Sequence, residues 1–277
     1  MKTWYVFLLF AVGFAACNQN NVTIDNSLKK YFDENHVQGT FGLYNNGSGQ
    51  FTIYNLPRFK DSAYLPASTF EIVNSLIGLE TGKINDEKMV IKWDGINRMN
   101  SDRDTATEWN KDLTMAQAFK ASAIPYFQEV ARRIGKDTMQ FWLDTLGYAS
   151  RYKKAIINKI DTFWLDNSIK ITADEQLGLV KKLFFDQLPF QKRSMRLVKE
   201  IMEMEKNSNY TLAYKTGMGV RENGNAVGWV IGWVLENQHP YFFALNIEGT
   251  RSMNMPLIRM NILKGVLKQL GYLQGKM

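Results

Sequence analysis

Residues 66–82 read Pro66-Ala67-Ser68-Thr69-Phe70-Glu71-Ile72-Val73-Asn74-Ser75-Leu76-Ile77-Gly78-Leu79-Glu80-Thr81-Gly82. The apolar run Ile72 to Leu79 has helical character, and Ser68 stands where that helix opens. Upstream, Thr40–Tyr44 and Phe51–Tyr54 read as short strands around the turn-rich Asn45-Asn46-Gly47-Ser48-Gly49. Downstream the chain turns helical. Thr114 can cap a helix through Phe119, and Pro125 predicts a break before Phe127–Ile134. Thr138–Leu146 follows, with Gly147 as its C-terminal cap. Thr172-Ala173-Asp174-Glu175 has capping-box spacing, and Arg193–Glu205 is a further amphipathic candidate. After Asn209 the pattern returns to strands: Thr211–Thr216, Ala226–Leu235 and Tyr241–Ile247, with a turn at Asn237-Gln238-His239-Pro240. A last helix, about Leu257–Leu270, would cover them. Strands at both ends and helices between predict one α+β unit, whose sheet is built from the two ends and interrupted by a helical insertion.

The composition excludes several classes. The chain has 277 residues, of which 45% are apolar and 22% charged, which is ordinary for a globular protein and wrong for a disordered one. A single cysteine forms no intrachain disulfide, and with only His36 and His239 beside it no metal site is expected. The formal net charge of +7 is small for this length and no dense basic run occurs, so nucleic acid is not an expected partner.

Residues 1–16 read as an export signal rather than as fold. Met1-Lys2 is a positive start, and Trp4 to Ala16 is an apolar run too short to span a bilayer comfortably. The only cysteine, Cys17, stands where the run stops, before Asn18-Gln19-Asn20-Asn21. That arrangement resembles a bacterial lipoprotein signal. It implies lipidation at Cys17, with the protein exported and held on the periplasmic face of a membrane.

Three short motifs follow one another along the chain: Ser68-Thr69-Phe70-Glu71 at a helix start, Ser122-Ala123-Ile124 at a helix break, and Lys215-Thr216-Gly217 on a late strand. Each is weak alone. In this order and on these elements they resemble the penicillin-recognising serine hydrolases, and most closely the class D β-lactamases. Further stretches carry the resemblance: Trp109–Gly135, Phe163–Thr172 and Gly228-Trp229-Val230-Ile231-Gly232-Trp233. It spans roughly residues 25–272. It implies a β-lactamase/transpeptidase-like α+β fold, with an antiparallel sheet subdomain at 25–62 and 206–277, a helical subdomain at 63–205, and a polar tether at 17–24.

The resemblance also implies roles. Ser68 is the nucleophile that forms an acyl-enzyme with a β-lactam. The backbone N–H groups of Ser68 and Met218 make the oxyanion hole. Ser122 relays a proton to the leaving nitrogen, aided by Lys215. Thr216, with Gly217 giving close backbone approach, and Arg259 receive the substrate carboxylate, although nearby Arg251 could take the part of Arg259. Ile124, Trp164, Leu165 and Met218 form apolar walls. Physical reasoning is compatible with this. Backbone N–H groups at a helix start can stabilise an oxyanion, and position i+3 shares a face with the serine.

One departure matters most. The family pattern is Ser-x-x-Lys, whose lysine becomes a carbamate and serves as general base. Here the position is Glu71, which cannot react with CO2, so no cofactor is expected. Two readings follow. Glu71 could replace one carboxylate base by another, or it could be a capping-box residue that reaches back to the Ser68 N–H. The second reading is favoured, because a carbamylated lysine is longer by three chain atoms, roughly 4 Å. Impaired turnover is then expected. A second departure is Tyr148-Ala149-Ser150 where the family often has Tyr-Gly-Asn. The rival functions are a non-hydrolytic β-lactam-binding or sensor-like module on the same fold, and a cell-wall peptidase. A monomer or homodimer is compatible with the sequence.

Overall fold

The computed structural model describes residues 21–98, 108–151 and 153–274. The stretch read as an export signal, and Cys17, lie outside the described residues.

Seven strands form the main sheet, in the spatial order Val22–Ile24, Gln50–Tyr54, Gln38–Asn45, His239–Gly249, Ala226–Glu236, Tyr210–Val220, Glu203–Lys206. The N-terminal and C-terminal strands thus share one sheet, joined where Phe41 pairs with Leu245. The strand Ala226–Glu236 is apolar almost throughout because both of its faces are covered. Val227, Trp229, Ile231 and Trp233 face the core shared with the inserted helices. Ala226, Val230 and Val234 face a second core, closed by the last helix, Met255–Gln269.

The helix ends follow the local chemistry. Thr114 and Thr172 each complete a capping box, with Gln117 and Glu175 respectively. Gly147 ends the helix Lys136–Leu146 in the left-handed region, at φ 61°.

Several expectations need correction. The break placed at Pro125 falls earlier, at Ser122, and Pro125 sits in the first turn of the helix Ile124–Ile134, where its missing N–H costs nothing. Residues 22–24 of the expected tether form a strand, because Val22 and Ile24 pair with Phe51 and Ile53. That pair is parallel, so the sheet is not antiparallel throughout. Its C-terminal part begins at Glu203 rather than 206, directly after the helix Lys192–Met202. His239 and Pro240 belong to the strand. The turn is the residue pair Asn237-Gln238, both at positive φ as a tight hairpin requires. The short helices Lys29–Asp33 and Leu56–Asp61 were not expected.

Candidate active site

Ser68 lies in a single 3-10 turn, Ala67–Phe70, that runs straight into the helix Glu71–Glu80. The turn is held from two sides. Ala67 N donates to Trp164 O at 3.0 Å, and Thr69 N donates to Pro66 O at 3.2 Å. The intervening Ser68 N–H has no backbone acceptor among the described residues, which leaves it available for an oxyanion. Ala67 stands at φ 48°, a strained value for an alanine, immediately before the nucleophile.

Residues three apart eclipse in a 3-10 turn, so Glu71 projects on the same side as Ser68. This overturns the capping reading. No cap bond is made at this helix start, and the Glu71 carboxylate instead meets Lys215, with Oε2 3.2 Å from Nζ. The contact is an ion pair without the alignment of a good hydrogen bond. Both groups are fully buried. Burial pushes the Glu71 carboxyl up to about 7, against the Lys215 ammonium and the Ser68 hydroxyl, which hold it down. Burial likewise lowers Lys215, partly offset by Glu71.

The third member arrives through a helix ending. The helix Met115–Ala121 closes with Ala123 N on Ala118 O at 2.8 Å and Ser122 N on Phe119 O at 3.3 Å. That is the paired hydrogen-bond pattern which normally places glycine at the left-handed position; here it is Ser122, at φ 48°. The hydroxyl so displayed accepts a hydrogen bond from Lys215 Nζ at 2.5 Å. Lys215 therefore touches both Ser122 and Glu71. A path of polar atoms runs from the nucleophile through Glu71 and Lys215 to Ser122.

Gly217 brings the strand Tyr210–Val220 against this turn. A Cβ there would lie 3.0 Å from Pro66 O and 3.1 Å from Thr69 Cγ2, so only glycine permits the approach without a shift. Ser68, Ser122, Ile124, Thr216, Gly217, Met218 and Arg259 all line one cleft of about 490 Å³. Arg259 Nη1 donates to Gly217 O at 2.7 Å, while its Nε is buried and unpartnered. Burial lowers the guanidinium to about 10. It has no carboxylate partner among the described residues, as suits a group that receives an external anion.

Two wall residues are placed differently. Trp164 is fully buried and does not line the cleft. Its ring stacks on Phe70, with centroids 5.3 Å apart, and its carbonyl anchors Ala67. Leu165 is half-buried and also outside the lining. Sequence reasoning gave no role to Trp109. It lines the cleft, and its Nε1 donates to Ala121 O at 2.9 Å, bracing the residue before Ser122. An aromatic just ahead of a capped helix was the available signal. Trp229, for which no role was expected, donates from Nε1 to Leu65 O at 3.0 Å and fixes the approach to the Ser68 turn. Ala149 stands at φ 53°, a conformation that favours glycine.

A smaller cleft of about 340 Å³ lies behind Trp109. Its Arg98, Arg132 and Arg133 are paired with Asp94 and Glu129, so it offers no free arginine to an external anion.

Ser68 thus stands with a buried carboxylate, a lysine-linked second serine and an arginine that has no carboxylate partner among the described residues, and comparison with known proteins gives the family. Residues 26–268 match the penicillin binding protein transpeptidase domain. Within that family the chain belongs to the class D β-lactamases. It is 40% identical over 243 residues to β-lactamase OXA-48 of Klebsiella pneumoniae, covering 88% of this chain and 87% of the relative. It is 36% identical over 275 residues to the probable β-lactamase YbxI of Bacillus subtilis strain 168, covering 95% and 97%. The crystal structure of a class D β-lactamase from Sebaldella termitidis superposes with a TM-score of 0.82 at 31% identity, covering 91% of this chain and 98% of that one.

Proposed function

We propose that the protein acylates Ser68 with penicillin-type β-lactams and releases the product slowly. In this reading Ser68 Oγ attacks the lactam carbonyl, and its proton passes to Glu71. The oxyanion is held by the Ser68 and Met218 N–H groups. Ser122 gives a proton to the departing nitrogen and is resupplied by Lys215. Thr216 and Arg259 hold the ring carboxylate. The observation that carries the slow second half is the buried Glu71–Lys215 pair. The carboxylate is paired with an ammonium that opposes its protonation. It is also about three chain atoms, roughly 4 Å, short of the reach of a carbamylated lysine. Misplacing a catalytic group by about 1 Å can cost on the order of a hundredfold. The same pair supports a second reading, a β-lactam trap or sensor-like module that binds covalently without turning over.

Intact-mass spectrometry after penicillin exposure separates the two. An adduct on Ser68 that decays over minutes marks an enzyme, and one that persists marks a trap. In the Glu71→Lys variant with bicarbonate, turnover is expected to rise by about 10² to 10⁴, the usual worth of a general base. No gain would sink the idea that position 71 limits the reaction. We further propose export and lipid attachment at Cys17, on the periplasmic side of a bacterial membrane. Labelled palmitate should enter the wild-type chain in the native host and be absent from Cys17→Ala; equal labelling would refute the assignment.

A further inference from the structure

Among the described residues most arginines outside the cleft are neutralised; Arg193, on the carbonyl of Asn85, and Arg196, 4.0 Å from Glu200, are the exceptions. Arg58, Arg98, Arg132, Arg133, Arg151 and Arg221 each have a carboxylate oxygen at 3.1 Å or closer. Arg251 and Arg259 have none among the described residues, and both line the cleft that holds Ser68. They differ in depth. Arg259 is half-buried, with its Nε enclosed and its Nη1 fixed on Gly217 O, so it is pre-set for one anion close to the nucleophile. Arg251 is exposed, on the loop that leads into the helix carrying Arg259. The two cations therefore belong to one wall, one deep and one at the mouth. The remaining charged residues of the lining, Lys120 and Glu108, offset each other and leave an excess of two positive charges. A substrate with a single carboxylate satisfies only the inner one.

We propose that Arg251 is an outer anion subsite. It selects β-lactams that carry a second acidic group on the side of the ring carboxylate, chiefly cephems with an acidic C3 substituent. This rests on the reading of the cleft as a β-lactam site. Arg259 takes the ring carboxylate, and Arg251 meets the second charge where it emerges toward solvent. A contact so exposed is worth little in water, so its effect is a few-fold and falls with salt.

The test uses two cephalosporins with the same acylamino side chain, one with a neutral and one with an acidic C3 substituent. The second-order rate of Ser68 acylation is followed by mass spectrometry. Arg251→Gln is expected to slow the acidic compound about fivefold and leave the neutral one unchanged, with Arg251→Lys restoring most of the loss. The fivefold difference should shrink in 0.5 M salt. Equal slowing of both compounds means general attraction of anions and overturns the subsite, as does no change in either. A third cephalosporin, with a neutral C3 substituent and an acidic acylamino side chain, checks the side: an effect confined to that compound overturns the assignment. If no cephalosporin or penicillin acylates Ser68 in the wild type, the reading of the cleft itself has failed and the subsite with it.

Discussion

At Glu71 burial and the Lys215 ammonium act on the carboxyl in opposite directions, and burial wins, leaving it at about 7. Below that pH the group holds its proton and cannot take one from Ser68. Acylation should therefore rise with pH through about 7, and Glu71→Gln should flatten that limb and lower its plateau by about 10² to 10⁴. Stopped-flow acylation across pH 5–9 reads both, and an unchanged profile in the variant would remove Glu71 from the chemistry. The same titration has a stability side. The folded state holds this proton more tightly than the unfolded state, so the group's contribution is complete below about 4.5 and is lost as pH rises through about 7. The identity of residue 71 was plain in the sequence, but its direction was not. Ser-x-x-Glu suits both a cap and an inward carboxylate, and the choice depended on a 3-10 turn that composition does not announce.

Two elements deliver the chemistry by their endings and edges. The helix Met115–Ala121 stops one residue short of a glycine's usual position and uses it to display the Ser122 hydroxyl. The strand Tyr210–Val220 presses on the nucleophile turn at Gly217. Gly217→Ala is expected to move the strand by a few tenths of an ångström and cut acylation on the order of a hundredfold, while thermal stability changes little. Rates near wild type would show that the close approach is dispensable. These devices mark what was legible. Strand and helix identities came from periodicity and capping boxes, since Thr114 and Thr172 carry their own local signals. The break around Ser122–Ile124 was legible, but its cause was assigned to Pro125, because a serine in a left-handed ending looks like any other serine. Trp164 was expected to face the ligand, yet its burial under Phe70 depends on long-range packing that spacing cannot reveal.

Over the whole molecule, the sheet ties its two ends together through charge as well as strands. Glu248 meets Arg58 at 3.1 Å and Arg221 at 2.6 Å, and both guanidiniums lie over the Tyr64 ring, at 4.5 and 5.0 Å. Burial would raise Glu248, but Asn225, Arg221 and Arg58 outweigh it and hold the group at about 2. This contribution is present above about 4.5 and lost as pH falls through about 2, the reverse of Glu71. Glu248→Gln removes the carboxylate that neutralises both arginines, leaving Arg58 only its bonds to Asn246, and is expected to cost about 3–5 kcal/mol in denaturant unfolding. A loss under 1 kcal/mol would mean that water serves these arginines as well. The strand Val22–Ile24 bears on where the protein can stand. Chain pairing begins five Cα steps after Cys17, a leash of at most about 18 Å. A protein lipidated there would ride with one sheet edge close to the bilayer.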